Sequence, residues 1–109
     1  LWYRDSLNTV YINNPNIFIP KSFTLYQNFP NPFNYSTLIK FSINKSNSKT
    51  KITIFDSIGK EIVTVLNRVL GEGNYDVKFS GEYLPSGIYF LRLQVDGNYS
   101  EIIKMVLLK

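Results

Sequence analysis

Apolar and polar residues alternate in short runs along most of the chain. In one run, Ile39, Phe41 and Ile43 alternate with the polar residues Lys40 and Ser42. A period of two is typical of a β-strand with one buried face, because successive side chains of a strand point to opposite sides. The pattern predicts seven strands, near residues 24–28, 37–43, 50–55, 61–66, 74–79, 88–95 and 99–108.

The connections between the predicted strands hold turn residues at the positions where turns need them. The segment from Asp56 to Gly59 suits a type I turn that ends with a glycine in the left-handed conformation. In the segment from Leu84 to Gly87, proline stands at the second turn position, where its fixed φ fits. Residues 23–109 therefore predict an all-β, immunoglobulin-like antiparallel β-sandwich of about seven strands.

The Asp-Gly pair at residues 96–97 predicts a two-residue type I′ hairpin loop and, with it, the register of the last two strands. Val95 would pair with Asn98, and Arg92 would lie opposite Glu101 on a solvated face. Four apolar side chains would continue that face as an exposed patch. They are Ile88, Phe90, Ile103 and Met105. Either the chain at residues 22–33 or a β-bulge covers this patch, or the patch and the unpaired end of the last strand form a docking surface for strand addition.

Residues 1–22 show no such alternation. They are rich in asparagine and contain two prolines, and they predict a linker or the tail of an upstream domain, ahead of a single domain at residues 23–109. The chain begins with leucine and shows no signal-peptide pattern, so we expect it to be a piece of a longer polypeptide. An added edge strand is the alternative interpretation, suggested by Trp2, Tyr3, Tyr11 and Ile12.

The composition excludes most familiar catalytic and metal sites. The 109 residues include no cysteine and no histidine, which rules out Ser-His-Asp and Cys-His catalysis, zinc fingers, thiol chemistry and disulfides. The eight carboxylates form neither a calcium-loop motif nor a closely spaced pair. We therefore expect no enzymatic activity, no cofactor and no metal site. The chain has no alanine but twelve asparagines and twelve isoleucines, which disfavours long helices.

The net charge of +4 is spread along the chain. Only Lys45, Lys49 and Lys51 lie close together, and they flank a serine- and asparagine-rich stretch at residues 44–50 that predicts a solvated loop. A nucleic-acid site needs a denser basic patch, so we expect no nucleic-acid partner. The longest apolar runs have four residues. A helix that crosses a bilayer needs ~20, so no membrane span is predicted.

The proline-rich stretch at residues 28–34 cannot be a central strand, because proline lacks the N–H group that a strand ladder needs. It predicts a rigid edge crossing, by which the first strand leaves one sheet. In that crossing, Phe29 and Phe33 would close one end of the sandwich.

Two further segments stand out near the end of the sequence. Tyr89 follows the proline turn and opens an apolar strand, which is the position of a tyrosine corner. Its hydroxyl is expected to bond backbone near residues 83–85. The other segment is an apolar run bounded by Lys104 and Lys109.

In order along the chain, five stretches resemble one known family: FTLYQNFPNPFNYSTLIKFSI, KITIFDSIGKEIVTVL, GNYDVKF, LPSGIYFLRLQV and KMVLLK. Together they are similar to the type A C-terminal sorting domain of type IX secretion (Por secretion) cargo in the Bacteroidetes and Chlorobi lineage. The resemblance extends over residues 23–109. Part of the pattern is shared with the immunoglobulin-like domain of flagellar hook-capping proteins. Tyr35 departs from the family, which commonly has another proline there, and only a local change in the turn is expected.

The resemblance implies a non-catalytic domain that acts as an address on an exported protein. It implies transit through the periplasm, reading by the type IX outer-membrane translocon, and cleavage by a sortase-like peptidase within residues 1–22. The product would then be released or attached to the cell surface. The recognition residues implied by the resemblance are Pro30, Asn31, Pro32, Phe33, Gly87, Tyr89, Lys104, Met105, Val106, Leu107, Leu108 and Lys109.

Two other functions stay open from the sequence. The hook-capping likeness allows a passive adhesive or spacer module. The eight tyrosines and one tryptophan allow a carbohydrate-binding module, since aromatic rings on a flat β-face can stack on sugars. The predicted positions of the tyrosines argue against a carbohydrate-binding module, because they face inward or lie at strand ends and turns.

Overall fold

The all-β prediction is confirmed by the computed structural model, which describes residues 9–11, 18–20 and 22–109 and has no helix among them. Seven of the strands in this part of the chain, β3 to β9, build two antiparallel sheets that pack face to face. The strands are β1 (Thr9–Tyr11), β2 (Phe18–Pro20), β3 (Phe23–Leu25), β4 (Ser36–Ile43), β5 (Ser48–Phe55), β6 (Glu61–Leu70), β7 (Gly73–Ser80), β8 (Gly87–Val95) and β9 (Tyr99–Leu107).

The two main sheets divide the seven strands as three plus four. One sheet has the order β3-β4-β7, and the other has the order β6-β5-β8-β9. In a constant-type immunoglobulin domain the fourth strand joins the first sheet, whereas here β6 pairs with β5. The sheet edges are therefore β3 and β7 on one side of the core, and β6 and β9 on the other.

The described parts of residues 1–22 form a separate two-stranded sheet. β1 and β2 pair antiparallel, with Val10 opposite Ile19. Trp2, Tyr3 and Ile12 lie outside the described residues. The division into a leading linker and a domain at residues 23–109 stays a prediction.

The core lies between the two sheets and is built from the inward positions of the alternating runs. Ile39, Phe41 and Ile43 of β4 are buried, whereas Lys40 is exposed. Every second residue of β8 is buried in the same way. The buried apolar side chains are Phe23, Leu25, Phe33, Ile39, Phe41, Ile43, Ile52, Ile54, Leu70, Phe79, Tyr89, Leu91, Leu93, Val95, Met105 and Leu107.

Two strand ends differ from the prediction by three residues or more. β6 continues to Leu70 and pairs with β5 as far as Ser48, with two register shifts along the way. Such shifts mark β-bulges, which occur preferentially at sheet edges and which a search for strict alternation does not detect. The first strand of the sandwich ends at Leu25, and beyond it the chain keeps only separate backbone hydrogen bonds to β4, at Tyr26 and Phe29.

The turn at residues 56–59 has the predicted form. Gly59 adopts a φ of 90°, and its N–H donates to the carbonyl of Asp56 at 3.0 Å. The Asp56 carboxylate accepts the N–H groups of Ile58 and Lys60, at 3.1 and 2.8 Å. The side chain and the glycine together fix the hairpin between β5 and β6.

The predicted register of β8 and β9 is wrong by one residue. Val95 pairs with Tyr99, so the connection holds three residues rather than two. A one-residue shift turns every side chain of a strand to the other face. Met105 is consequently fully buried, and Arg92 lies opposite Ile102 instead of Glu101.

The apolar patch predicted from that register does not exist as one surface. Met105 belongs to the core, and Ile103 packs against the core. Ile88 and Phe90 lie on the outer face of the sheet, with Val106 and Lys104 opposite them. The four side chains are instead divided between the core side and the outer face of the sheet.

Contacts of Asp96 with a distant loop accompany the longer connection. Its carboxylate accepts the Lys49 N–H at 2.9 Å and pairs with the Lys45 ammonium at 3.0 Å. Its own N–H donates to the Lys49 carbonyl at 2.8 Å, and its φ is 56°. The hydrogen bond from the Lys49 N–H, reinforced by Lys45, lowers the pKa of the Asp96 carboxyl. The hairpin is thereby anchored to Lys49 at the start of β5 and to Lys45 in the loop before it.

Replacing Asp96 with asparagine should lower the free energy of unfolding near pH 7 by about 0.5–1 kcal/mol, because the charge is lost and an acceptor is kept. A carboxyl whose pKa is lowered by folding stabilises the protein above its unfolded pKa. That contribution is lost as the pH falls through the folded value. Urea unfolding of both proteins should therefore give a difference that shrinks as the pH is lowered below the unfolded pKa of about 3.9. A difference that persists there would assign the loss to turn geometry.

Candidate functional site

Residues 27–33, here named the clasp, lie along the outer edge of β9. The Phe33 N–H donates to the Val106 carbonyl at 2.9 Å, and the Leu108 N–H donates to the Phe33 carbonyl at 2.9 Å. Phe33 forms a parallel bridge with Leu107. The clasp thus connects the chain that follows β3 to the edge of the other sheet. As predicted, it is an edge crossing and not a central strand.

The side chain of Asn31 continues this edge pairing where the prolines cannot. Its Oδ1 accepts the Val106 N–H at 2.9 Å, and its Nδ2 donates to the Lys104 carbonyl at 3.4 Å. Gln27 Nε2 donates to the same Lys104 carbonyl at 2.9 Å. Pro30 and Pro32 have no N–H to offer to a ladder. The Asn31 amide takes the place of a backbone peptide group between them.

A buried polar network holds the clasp against β4. Asn28 and Thr37 are both buried. Asn28 Nδ2 donates to Thr37 Oγ1 at 2.9 Å and to the Pro30 carbonyl at 3.2 Å. The Thr37 hydroxyl donates to the same carbonyl at 2.9 Å. Buried polar groups that satisfy one another in this way fix a single geometry for the segment.

The two phenylalanines of the clasp have different environments. Phe33 is 2% exposed and lies edge-on to Phe79, with ring centroids 6.3 Å apart. Phe29 is 78% exposed, so the prediction that both rings close the sandwich is right for Phe33 and wrong for Phe29. Phe29 pairs through its backbone with Leu38. Successive side chains of an extended segment alternate, and Asn28 takes the inward position.

Gly81 contributes to this site, although the sequence analysis did not single it out. Its N–H donates to the Tyr35 carbonyl at 2.7 Å. A β-carbon at this position would lie 2.9 Å from Leu107 Cδ2 and 3.4 Å from Phe33 Cε2. The absence of a side chain allows Leu107 and Phe33 to pack here. The only local signal was a glycine after an alternating run of apolar and polar residues, which marks a turn equally well.

Tyr89 forms the predicted tyrosine corner. Its ring is buried, and its hydroxyl donates to the Pro85 carbonyl at 2.7 Å. Burial raises the pKa of the phenol above its ordinary value, and the nearby Asp56 carboxylate adds to the increase. Tyr89 lies opposite Met105, and Gly87 lies opposite Leu107. This turn is therefore tied to the same part of β9 that the clasp contacts.

Replacing Tyr89 with phenylalanine should lower the free energy of unfolding by about 1 kcal/mol, because the Pro85 carbonyl loses its donor. A raised folded pKa stabilises the protein below the unfolded pKa, about 10 for tyrosine, and this contribution is lost as the pH rises through the folded value. Denaturation of both proteins should therefore show a larger difference in the free energy of unfolding at pH 7 than above pH 10. Equal stability at pH 7 would show that the hydroxyl bond contributes nothing.

Beyond β9 the chain is held by the turn that precedes β8. The Lys109 N–H donates to Ser86 Oγ at 2.9 Å, and the Lys109 ammonium donates to the Glu82 carbonyl. Leu108 is exposed. The prediction that the last residues have unpaired backbone is wrong, because Leu108 and Lys109 both donate hydrogen bonds.

Three segments that are remote in sequence thus meet around the end of β9. The clasp forms hydrogen bonds with the outer edge of β9, and β8 pairs with the inner edge of β9. The turn before β8 bonds Lys109, which lies beyond the end of β9. All the residues proposed from the resemblance lie in this one region: Pro30, Asn31, Pro32, Phe33, Gly87, Tyr89, Lys104, Met105, Val106, Leu107, Leu108 and Lys109.

Within the described ranges, the acidic side chains do not gather into a group of three that could bind a metal ion. Nor does this part of the chain contain a helix with the length and apolar character needed to span a membrane.

The fold and the site define an immunoglobulin-like β-sandwich module whose distinctive surface is the clasp on β9. The chain belongs to the secretion system C-terminal sorting domain family, the Por secretion tail, which matches residues 27–108. A comparison with curated proteins gave no match. Membership places the domain in type IX secretion and implies export to the cell surface or the extracellular space. The family is known for sorting and is not known for catalysis.

Proposed function

We propose that this domain is a non-catalytic address that directs its parent protein to the type IX outer-membrane translocon. We propose further that the clasp and the end of β9 form the surface that the translocon reads. The observation that carries this proposal is the convergence of three separate motifs of the resemblance on one surface. Hydrogen bonds join the clasp, the turn before β8 and the end of β9.

The occupied edge of β9 favours recognition of a formed surface over strand addition at this point. The backbone of Val106 and Leu108 is already bonded to the clasp. A partner would contact the side chains that the clasp and the residues beyond β9 present, among them the exposed Phe29 and Leu108. Exposed apolar side chains on a rigid, hydrogen-bonded frame are suited to such a contact, because little ordering is needed on binding.

We propose that the translocon recognises this surface after the unfolded chain has passed into the periplasm. A sortase-like peptidase would then cut within residues 1–22, and the cargo would be released or attached to the surface. The sequence supports this position for the cut, because the segment lacks the strand pattern of residues 23–109.

Limited proteolysis of the 109-residue chain should first remove the leading segment and leave a core that starts near residues 20–23. Mass spectrometry of the earliest products would identify the cut. First cuts at residues 44–50, with the N-terminal segment still attached, would mean that this segment is part of the fold.

The experiment for the sorting function fuses the chain to a periplasmic reporter in a bacterium with a type IX system. Leu108→Ser and Phe29→Ser alter the proposed surface. Val69→Ser is the matched control, because Val69 on β6 has the same 56% exposure as Leu108. We expect all three variants to keep the parent melting temperature, and the two surface variants to lose export while the control is exported.

Equal export of the three variants would overturn the assignment of the surface. Retention of the unaltered fusion in the periplasm would overturn the sorting function and favour the passive adhesive or spacer module. The carbohydrate-binding alternative gains no specific support, because the exposed tyrosines among residues 22–109 lie at strand ends and connections. They are Tyr26, Tyr35, Tyr83 and Tyr99.

A further inference from the structure

β7 is the long, regular sheet edge that the described chain leaves open. It pairs with β4 over eight residues without a register shift. β6 is interrupted by two register shifts, the end of β9 is covered by the clasp, and β3 has three residues. A long, flat edge is a template for pairing with another chain.

The pairing of β4 shows which backbone groups of β7 point outward. The carbonyls of Lys40 and Leu38 accept the N–H groups of Tyr26 and Phe29, on the side of β4 away from β7. Because bonding alternates along a strand, the intervening residues of β4 bond their partners on β7, which are Tyr75, Val77 and Phe79. The other residues of β7 therefore direct their N–H and C=O groups away from the sheet. They are Asn74, Asp76, Lys78 and Ser80.

The charges along this edge are complementary to a second copy of the same edge. Asp76 and Lys78 flank Val77, and both are exposed. In an antiparallel pair of β7 strands on a two-fold axis through Val77, each Asp76 lies opposite Lys78 of the other copy, and the outward backbone groups meet. Moving the axis by one residue places Asp76 opposite Asp76, or Lys78 opposite Lys78. Unlike charges across a strand pair stabilise it and like charges destabilise it, so the charges favour the axis through Val77.

The inner side of the same edge leaves apolar surface incompletely covered. A cleft of about 190 Å³ opens between β7 and β6. Val77, Tyr75 and Leu66 line it and are only half-buried. A second β7 in the plane of the sheet would extend over this open side and bring a second Val77 beside the first. Pairing would therefore bury apolar side chains as well as backbone groups.

We propose that two copies of this domain associate through their β7 strands, antiparallel and centred on Val77. The result is a continuous six-stranded sheet in the order β3-β4-β7-β7-β4-β3. The contact is isologous, with the same surface on both copies. The clasp lies at β9, away from the edges formed by β6 and β7, so the association is independent of the proposed sorting function.

Sedimentation velocity of the 109-residue chain over a range of concentrations tests the association with two charge reversals. Asp76→Lys places lysines opposite lysines in the pair, and Lys78→Asp places aspartates opposite aspartates. We expect the unaltered chain to dimerise and each single variant to bind itself about tenfold or more weakly, because both charge pairs become repulsive. An equimolar mixture of the two variants should form heterodimers, and the double variant D76K/K78D should dimerise again.

Melting temperatures control for damage to the single copy. Asp76 lies opposite Lys40 within its own sheet, so D76K also brings two lysines together, whereas Lys78 lies opposite Leu38. K78D is therefore the cleaner of the two single variants. A chain that remains monomeric at the highest concentration overturns the proposal. So does a dimer that neither reversal weakens, or a mixture that does not recover association.

Discussion

Replacing Phe33 with alanine is expected to lower the free energy of unfolding by about 3–5 kcal/mol. The ring is 2% exposed and packs edge-on against Phe79, and its removal leaves a cavity that the rigid clasp cannot fill. A domain is typically stable by only about 5–15 kcal/mol, so the variant should be close to unfolding at room temperature. Chemical denaturation followed by circular dichroism measures the loss.

Phe29→Ala is the matched control, because it removes the same side chain from the same segment. Phe29 is 78% exposed, and its loss should cost less than about 0.5 kcal/mol. If the two variants lost the same stability, Phe33 would not be the residue that anchors the clasp in the core.

Met105→Ala is the second substitution with a large expected effect, a loss of about 2–4 kcal/mol. The expectation follows from the register of β8 and β9, which turns Met105 into the core, where it is fully buried. In the register with Val95 opposite Asn98, the same side chain would lie on the outer face and its removal would cost little. Thermal and urea denaturation therefore distinguish the two registers.

The control for this prediction is Ile102→Ala on the same strand. Ile102 is 59% exposed and lies opposite Arg92 on the outer face, so its truncation should cost less than about 1 kcal/mol. A larger loss for Ile102 than for Met105 would restore the register predicted from the sequence.

Local signals were sufficient for the strands and for the tyrosine corner. The alternation of Ile39, Phe41 and Ile43 reflects a sheet with one buried face, and the core contains these residues. The corner at Tyr89 was predictable because it depends on a turn only a few residues upstream; its hydroxyl bonds Pro85. In both cases the residues that determine the local structure lie close together along the chain.

The register of the last hairpin could not be predicted in that way. The Asp-Gly pair at residues 96–97 alone favours a two-residue loop. Asp96 instead bonds Lys45 and Lys49, which precede it by about half the length of the domain. Because such long-range contacts contribute to the loop geometry, the alternation of apolar residues in β9 was assigned to the wrong face.

The clasp itself was predictable as an edge crossing, whereas its contacts were not. Nothing near Asn31 indicates that its amide bonds the backbone of Val106, 75 residues further along the chain. The need for glycine at position 81 depends in the same way on the distant Leu107. The motifs of the resemblance identified the segments, and the three-dimensional structure explains how they contact one another.

The bonds between the clasp and β9 also bear on the order of folding. The clasp lies near the start of the sandwich, and β9 is the last strand of the sandwich. The backbone of Phe33 therefore gains its hydrogen-bond partners, Val106 and Leu108, only after every intervening strand has been synthesised. Contacts between distant parts of a chain form slowly, because the entropy of closing a long loop must be overcome first. A chain interrupted anywhere between them would not assemble this surface. The pairing of the clasp with β9 is therefore present only on domains whose chain extends through β9, and it is absent from truncated domains.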